Sequence, residues 1–170
     1  IKAGEHLLNL INDILELSKV EAGRVVVNPT NVDLHALFED LQMLFKERAQ
    51  AKRLQFIYEI SEDLPRYAYV DEGKLRQIFV NLIGNAIKFT EEGGIAVRTR
   101  TEAIDDETNR LTVEIQDSGP GIPENELDKL FKHFEQTSSG INKGSGTGLG
   151  LALSRELAII LGGNITVTSE

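Results

Sequence analysis

Polar side chains recur along one face of a predicted helix in the middle of the chain. Asn81, Asn85 and Lys88 follow one another at steps of four and three residues, which places them on the same side of that helix. Asn costs about 0.5 kcal/mol relative to Ala inside a helix, so two of them on consecutive turns need a reason. An amide oxygen suits Mg²⁺ and a lysine suits phosphate. The helix by itself is equally compatible with an amide pair that hydrogen-bonds to neighbouring backbone.

A second candidate site follows a predicted strand, where the sequence reads D-S-G-P-G from residue 117. Gly119 and Gly121 would let the backbone approach a flat ligand closely. The carboxylate of Asp117 could accept a hydrogen bond from an exocyclic amine. Turns of this composition are common after strands, and the motif alone favours that plain structural interpretation.

A glycine-rich run at residues 143–150 alternates glycine with other residues and leads directly into an apolar helix. Glycines let backbone N–H groups surround an anion, and the start of a helix adds positive potential there. A flexible linker is the alternative, but a linker does not explain why the run opens a helix. The P-loop and Rossmann patterns do not fit, because Lys143 precedes the glycines and no strand comes directly before them. The protein-kinase motifs H-R-D and D-F-G do not occur.

Hydrophobic periodicity predicts the elements that must hold these motifs. The helix over residues 1–22 has an apolar stripe wide enough to pack against another helix, and Gly23 ends it. Asp33 and Asp71 are predicted N-caps of the next two helices, with Leu44 among the inward-facing residues of the first. The pattern indicates an α+β fold with helices on one face of a mixed sheet. The predicted helices cover residues 1–22, 34–51, 72–90, 123–134 and 148–161, the strands cover 24–30, 54–60, 67–70, 95–101, 111–116 and 165–168, and residues 136–146 form a mobile loop.

Composition excludes several classes of function. The 170 residues carry a net charge of −9, which argues against a general nucleic-acid surface. No cysteine is present, so a disulfide scaffold, a thiolate metal site and a thiol nucleophile are excluded. No apolar run approaches the ~20 residues of a membrane span. We therefore expect a soluble, cytoplasmic chain without direct membrane contact, which is compatible with a membrane-anchored parent.

The three motifs together, in the order N-L-I-G-N-A-I-K-F, D-S-G-P-G and G-S-G-T-G-L-G, resemble the ATP-binding domain of sensor histidine kinases. The wider superfamily includes the gyrase, mismatch-repair and heat-shock chaperone ATPases. The resemblance covers residues 25–170 and implies a Bergerat-type α/β sandwich. Residues 1–23 look like the second helix of the dimerisation hairpin of the same kinases. The implied domains are a partial hairpin helix at 1–23 and the catalytic ATP-binding domain at 24–170, with its last strands cut off.

The resemblance also implies roles for residues that match the family's motifs. Asn85 would ligate Mg²⁺, with Asn81 as a second candidate ligand near the phosphates. Lys88 would contact phosphate, Phe89 would pack near the adenine, and Asp117 would accept from the adenine amino group. The glycines and the two phenylalanines would form the approach to the nucleotide and its lid. The implied ATP-binding residues are Asn81, Asn85, Lys88, Phe89, Asp117, Gly119, Gly121, Ile122, Phe131, Phe134, Lys143, Gly144, Gly146, Thr147, Gly148, Leu149 and Gly150.

The sequence departs from the family's pattern in ways that bear on activity. None of His6, His35 and His133 lies in a phosphoacceptor motif, so we assign none as acceptor and expect no autophosphorylation by this chain. Gln136 stands where many relatives have an arginine, which leaves Lys132 or Lys143 to reach the γ-phosphate. Hydrolysing relatives have a glutamate at the position of Asn81. Since an amide cannot take a proton from water, we expect little ATP hydrolysis.

The implied function is binding of ATP with Mg²⁺ and transfer of the γ-phosphoryl to a histidine of the dimerisation hairpin, which starts a phosphorelay. The implied partners are ATP, the hairpin of a homodimer and the receiver domain of a response regulator. One alternative is an ATP-driven conformational module like the chaperone relatives, which steady ATP turnover would favour. Another is an interaction domain that kept only the fold, which failure to bind nucleotide would favour.

Overall fold

The computed structural model describes residues 2–137, 141 and 147–170, and these residues form two compact units. One unit is the continuous segment Pro29–Pro120. The other combines Ile1–Asn28 with Gly121–Glu170. Among the described residues no helix is both long and apolar enough to cross a bilayer.

A three-stranded mixed sheet forms the centre of the continuous unit. Its strands are β2 (Gln55–Glu59), β4 (Gly94–Ala103) and β5 (Asn109–Asp117), in the order β2-β4-β5. β2 runs parallel to β4, and β4 pairs antiparallel with β5 across an acidic turn at residues 105–107. Asp105 Oδ1 holds that turn by accepting from two backbone N–H groups, at 2.9 and 2.7 Å. A separate antiparallel pair joins β1 (Thr30–Asp33) to β3 (Tyr67–Val70).

Two helices, α2 (Leu34–Ala51) and α3 (Glu72–Phe89), pack against this sheet and each other. Each begins at the aspartate that the sequence predicts as its N-cap. Phe38 of α2 contacts Phe79 of α3 with ring centroids 5.5 Å apart, inside the core. The predicted α+β arrangement with a mixed sheet is confirmed.

The second unit contains α1 (Lys2–Glu21), a short α4 (Glu124–Leu127) and α5 (Gly150–Ile160). α1 contacts α5, and Leu17 of α1 is buried. Most of the rest of its apolar stripe is exposed. The exposed members are Leu7, Leu8, Ile11, Ile14 and Leu15.

Four structural predictions are wrong. The strand expected at residues 24–30 is absent, because β1 begins only after Pro29 and Val26 remains 78% exposed. Leu44 is exposed at 40%, since it lies beside rather than on the buried face of α2. Residues 165–168 form no strand among the described residues. The helix expected at 123–134 ends at Leu127. The chain continues in tight turns as far as Phe134, which is left-handed with φ +62°.

Candidate functional site

The asparagine face is carried by α3, whose position is fixed at its start and along its buried side. Asp71 Oδ1 accepts from the backbone N–H of Lys74 at 3.1 Å, and Oδ2 pairs with the Lys74 ammonium at 3.0 Å. Asn81, Asn85 and Lys88 are half-buried, between the core and solvent. The helix is anchored by burial of Ile78, Phe79, Ile83, Ala86 and Ile87.

The C-terminal end of α3 holds a lysine and an aromatic ring together. Lys88 Nζ lies 4.9 Å from the centroid of the Phe89 ring, within the range of a cation–π contact. Thr90 closes the helix, because its N–H and its hydroxyl both donate to Ala86 O, at 3.1 and 2.7 Å. A positive charge and a flat apolar surface therefore lie side by side on the last turn.

The aspartate motif forms a turn against that same end of α3. Asp117 is the last residue of β5 and is exposed, and its Oδ1 accepts from Gly119 N–H at 2.8 Å. A Cβ on Gly119 would lie 2.7 Å from that oxygen and 3.4 Å from Phe89 O. The structure thus brings together two of the predicted motifs that are separate in sequence, at a place where the backbone has no room for a side chain.

Ser118 ties this turn to the segment that joins α3 and β4. Its hydroxyl donates to Glu92 O at 2.9 Å and accepts from Gly94 N–H at 2.9 Å. Gly93 adopts φ +91°, a conformation that L side chains rarely adopt, and a Cβ there would collide with Ser118. The tight connection holds the Asp117 turn close to the helix end.

The remaining predicted residues lie in the second unit. The Phe131 ring is stacked under the Arg155 guanidinium at 4.7 Å, while Phe134 is 63% exposed. Phe134 N–H donates to Gly148 O at 3.1 Å. A Cβ on Gly148, at φ +70°, would lie 2.9 Å from the carbonyl carbon of Phe134, so this contact needs glycine.

Thr147, Leu149 and Gly150 continue into α5. The Thr147 hydroxyl accepts from Leu149 N–H at 3.2 Å and donates to Asp13 Oδ2 of α1 at 3.4 Å. Burial raises the pKa of Asp13 above its ordinary value, against the opposing effect of this hydrogen bond. Leu149 is fully buried and Gly150 opens the helix.

Gly121 and Ile122 contact the last residues of the chain. Ile122 N–H donates to Ser169 Oγ at 2.7 Å, and Gly121 has φ +71° with Glu170 O close by. Lys143, Gly144 and Gly146, and most of the loop predicted at residues 136–146, lie outside the described residues. His133 lies in a turn and not in the helix predicted at 123–134. It is half-buried, with Nδ1 3.3 Å from Glu21 Oε1.

The protein oxygens near Asn85 suit Mg²⁺ only when a bound ligand supplies further oxygens. Among the described residues no group of three or more His, Asp or Glu side chains could hold a metal ion. Asn85 offers a neutral amide oxygen on a half-buried surface. Since Mg²⁺ keeps waters and takes one or two protein oxygens plus substrate phosphates, such a site suits metal that arrives with a nucleotide.

The sequence does not predict the contact that Lys52 makes in this region. Lys52, at the end of α2, places its ammonium on the last carbonyls of α3, about 36 residues further on. A lysine at the end of a helix has no local pattern that reveals so distant a contact, and only the fold shows it.

Comparison with known proteins identifies the family. Residues 70–170, more than half of the chain, match the model described as "Histidine kinase-, DNA gyrase B-, and HSP90-like ATPase". The chain belongs to this ATPase family. The match contains the asparagine helix, the aspartate turn and the glycine-rich run, so the family resemblance inferred from these motifs is confirmed.

Similar proteins are sensor histidine kinases. The aerobic respiration control sensor protein ArcB of Escherichia coli K12 is 44% identical over 95% of this chain, which covers 21% of ArcB. The solved full-length ShkA, in complex with AMPPNP, is 35% identical with a TM-score of 0.76, over 95% of this chain and 32% of that one. The catalytic domain of histidine kinase ThkA is 30% identical with a TM-score of 0.59, over 79% of this chain and 82% of that one. The chain spans about a fifth of the length of the curated relatives it matches.

Proposed function

We propose that the chain is the ATP-binding catalytic part of a sensor histidine kinase. It binds ATP with Mg²⁺ and passes the γ-phosphoryl to a histidine on a dimerisation hairpin. The observation that carries the proposal is the close approach of the Asp117 turn to Phe89 at the end of α3, which occurs at Gly119, where a side chain would have no room. Its support from relatives is the ShkA complex with the ATP analogue AMPPNP.

Each side chain at the end of α3 has a role that its chemistry permits. Asp117 accepts from the adenine amino group through the oxygen that Gly119 N–H leaves available. Lys88 neutralises phosphate charge, and Phe89 beside it offers an apolar face to the base. Asn85, with Asn81 one turn earlier, presents amide oxygens to Mg²⁺, which when bound neutralises phosphate charge. Neither amide can act as a base, so water is not activated and the γ-phosphoryl is kept for an imidazole.

The proposal also includes a lid. The glycine-rich run at residues 143–150 is proposed as the lid hinge and phosphate cradle, because glycine backbone N–H groups can approach phosphate closely. Phe131 and Phe134 anchor that segment, with Gly121 and Ile122 at its base. Lys132 or Lys143 takes the place of the arginine that Gln136 replaces. Thr147 and Leu149 fix the start of α5, as their hydrogen bond and burial support.

We also propose the domain limits and partners that this function requires. Residues 1–23 are the second helix of the dimerisation hairpin, and 24–170 the catalytic domain. The five exposed apolar residues of α1 support a hairpin partner, and through it a homodimer of the longer protein. A receiver domain is the proposed downstream partner, as supported by the solved complex of ThkA with response regulator TrrA, 27% identical to this chain. The proposed location is the cytoplasm.

Calorimetric titration with ATP tests the proposal directly. The native chain should bind ATP with micromolar affinity in the presence of Mg²⁺ and much more weakly after addition of EDTA. Asn85→Ala and Asp117→Asn should abolish detectable binding while the protein stays folded by circular dichroism. Asn9→Ala and Asp106→Asn change the same residue types at exposed positions and should bind as the native chain does.

Two further measurements distinguish a kinase from other members of the family. Phosphate release from ATP should stay at background, and a histidine-bearing hairpin added in trans should gain ³²P. No ATP binding by the folded native chain would overturn the proposal. Steady hydrolysis without transfer to the hairpin would replace it with an ATP-driven conformational module.

A further inference from the structure

The ammonium group of Lys52 is bound by three backbone carbonyls at the end of the asparagine helix. Nζ donates to Ile87 O at 2.8 Å, to Thr90 O at 2.7 Å and to Lys88 O at 3.2 Å. An ammonium has three donors, so this group is fully used. The last carbonyls of a helix have no hydrogen-bond donor within the helix and carry partial negative charge. A cation placed there donates hydrogen bonds to these carbonyls and interacts favourably with their charge.

The geometry of α2 fixes where this lysine starts. Lys52 is the C-cap of α2 and its N–H donates to Ala49 O. Arg53 then turns the chain in a left-handed conformation with φ +58°, and Leu54 N–H returns to Ala49 O at 2.9 Å. Ala49 is fully buried and Leu54 nearly so. The side chain therefore extends from a rigid base toward α3 and is itself half-buried.

The three acceptors span the backbone that carries the proposed ligand contacts. Lys88 and Phe89 lie between the first and last of them, and Phe89 O lies beside the Asp117 turn at Gly119. A frayed last turn would move both side chains and loosen the contact with that turn. Holding it in place before ligand arrives removes an ordering cost from binding.

We propose that Lys52 is a positioning residue for nucleotide binding, which acts through the backbone of the last turn of α3 and not by touching ligand. The inference rests on the proposed function, since it assumes that Lys88 and Phe89 contact ATP. It predicts that removing the charged donor at residue 52 weakens ATP binding even in variants that still fold.

The test compares Lys52→Met with the native chain and with Lys46→Met, which removes an exposed lysine from the same helix. Lys52→Met should raise the Kd for Mg-ATP about tenfold, which corresponds to about 1.4 kcal/mol. Amide hydrogen exchange in the last turn of α3 should speed up in Lys52→Met before ligand is added. Lys52→Arg keeps the charge and several donors and should recover most of the affinity. Lys46→Met should leave both affinity and exchange unchanged.

The outcomes decide between the two proposals. If the native chain binds ATP and folded Lys52→Met binds equally well, the inference about Lys52 is overturned and the proposed function stands. If the folded native chain does not bind, the proposed function is overturned and the inference falls with it. If Lys52→Met does not fold, Lys52→Gln decides, because it keeps donors without charge and should bind more weakly than Lys52→Arg. Equal affinity of these two variants would overturn the inference.

Discussion

Replacing Asp71 with alanine should destabilise the helix that carries the asparagine face by about 2 to 3 kcal/mol. The loss of an N-cap hydrogen bond costs about 1 kcal/mol. The side chains of Asp71 and Lys74 are only 9% and 16% exposed, so the lysine is left half-desolvated without this partner. Removal of one partner from such a buried, charge-assisted contact adds about 1 to 2 kcal/mol.

Urea unfolding at neutral pH, with hydrogen exchange in α3 as the local reading, measures this loss. Asp71→Asn keeps an acceptor for the cap and loses the ion pair, so it should cost about half as much as Asp71→Ala. Asp40→Ala is the matched control, because Asp40 also pairs with a cation but is 61% exposed. It should cost less than about 0.5 kcal/mol. A loss in Asp71→Ala no larger than in Asp40→Ala would refute the argument from burial.

Two other substitutions test the aspartate turn and the loss of folding stability at low pH. Gly119→Ala should weaken ATP binding, because its Cβ would lie 2.7 Å from Asp117 Oδ1, whereas Gly73→Ala meets only an ordinary contact at 3.5 Å and should bind normally by the same calorimetry. Binding by Gly119→Ala equal to native would show that the backbone there is not crowded. The hydrogen bond from Ala36 N–H lowers the pKa of Asp33 below 3.8, so the stability it adds is present above that pH and is lost as pH falls through the lower folded value. Asp33→Asn should therefore flatten the loss of stability below about pH 4 in acid titrations followed by circular dichroism, and an unchanged acid limb would contradict this assignment.

Local chemistry explains which elements the sequence predicts well. Asp33 and Asp71 each precede an apolar periodic run, and a short carboxylate at that place satisfies backbone donors in any tertiary setting. The β4–β5 hairpin follows from strict alternation on both sides of an acidic turn. The relevant interactions span a few residues, so the pattern suffices.

The errors arise where distant contacts decide the outcome. The valine run before Pro29 has high strand propensity, but propensity gives no strand unless an edge is available to pair with. The helix predicted to reach Phe134 stops early because the chain must turn there, with Phe134 N–H bonded to Gly148 O. The site shows the same limit, since its motifs are visible in sequence while the reach of Lys52 across 35 to 38 residues is not.

The division of the chain has a consequence for the order in which it folds. Pro29–Pro120 is continuous, so its sheet and two helices can form from contacts of modest sequence separation. The other unit needs both ends of the chain at once: Asp13 and Thr147, which share a hydrogen bond, are 134 residues apart. Closing so long a loop is slow, and on a ribosome it cannot happen until Thr147 has emerged. The segment with the asparagine helix therefore folds first, and Thr147 reaches Asp13 of α1 only afterwards.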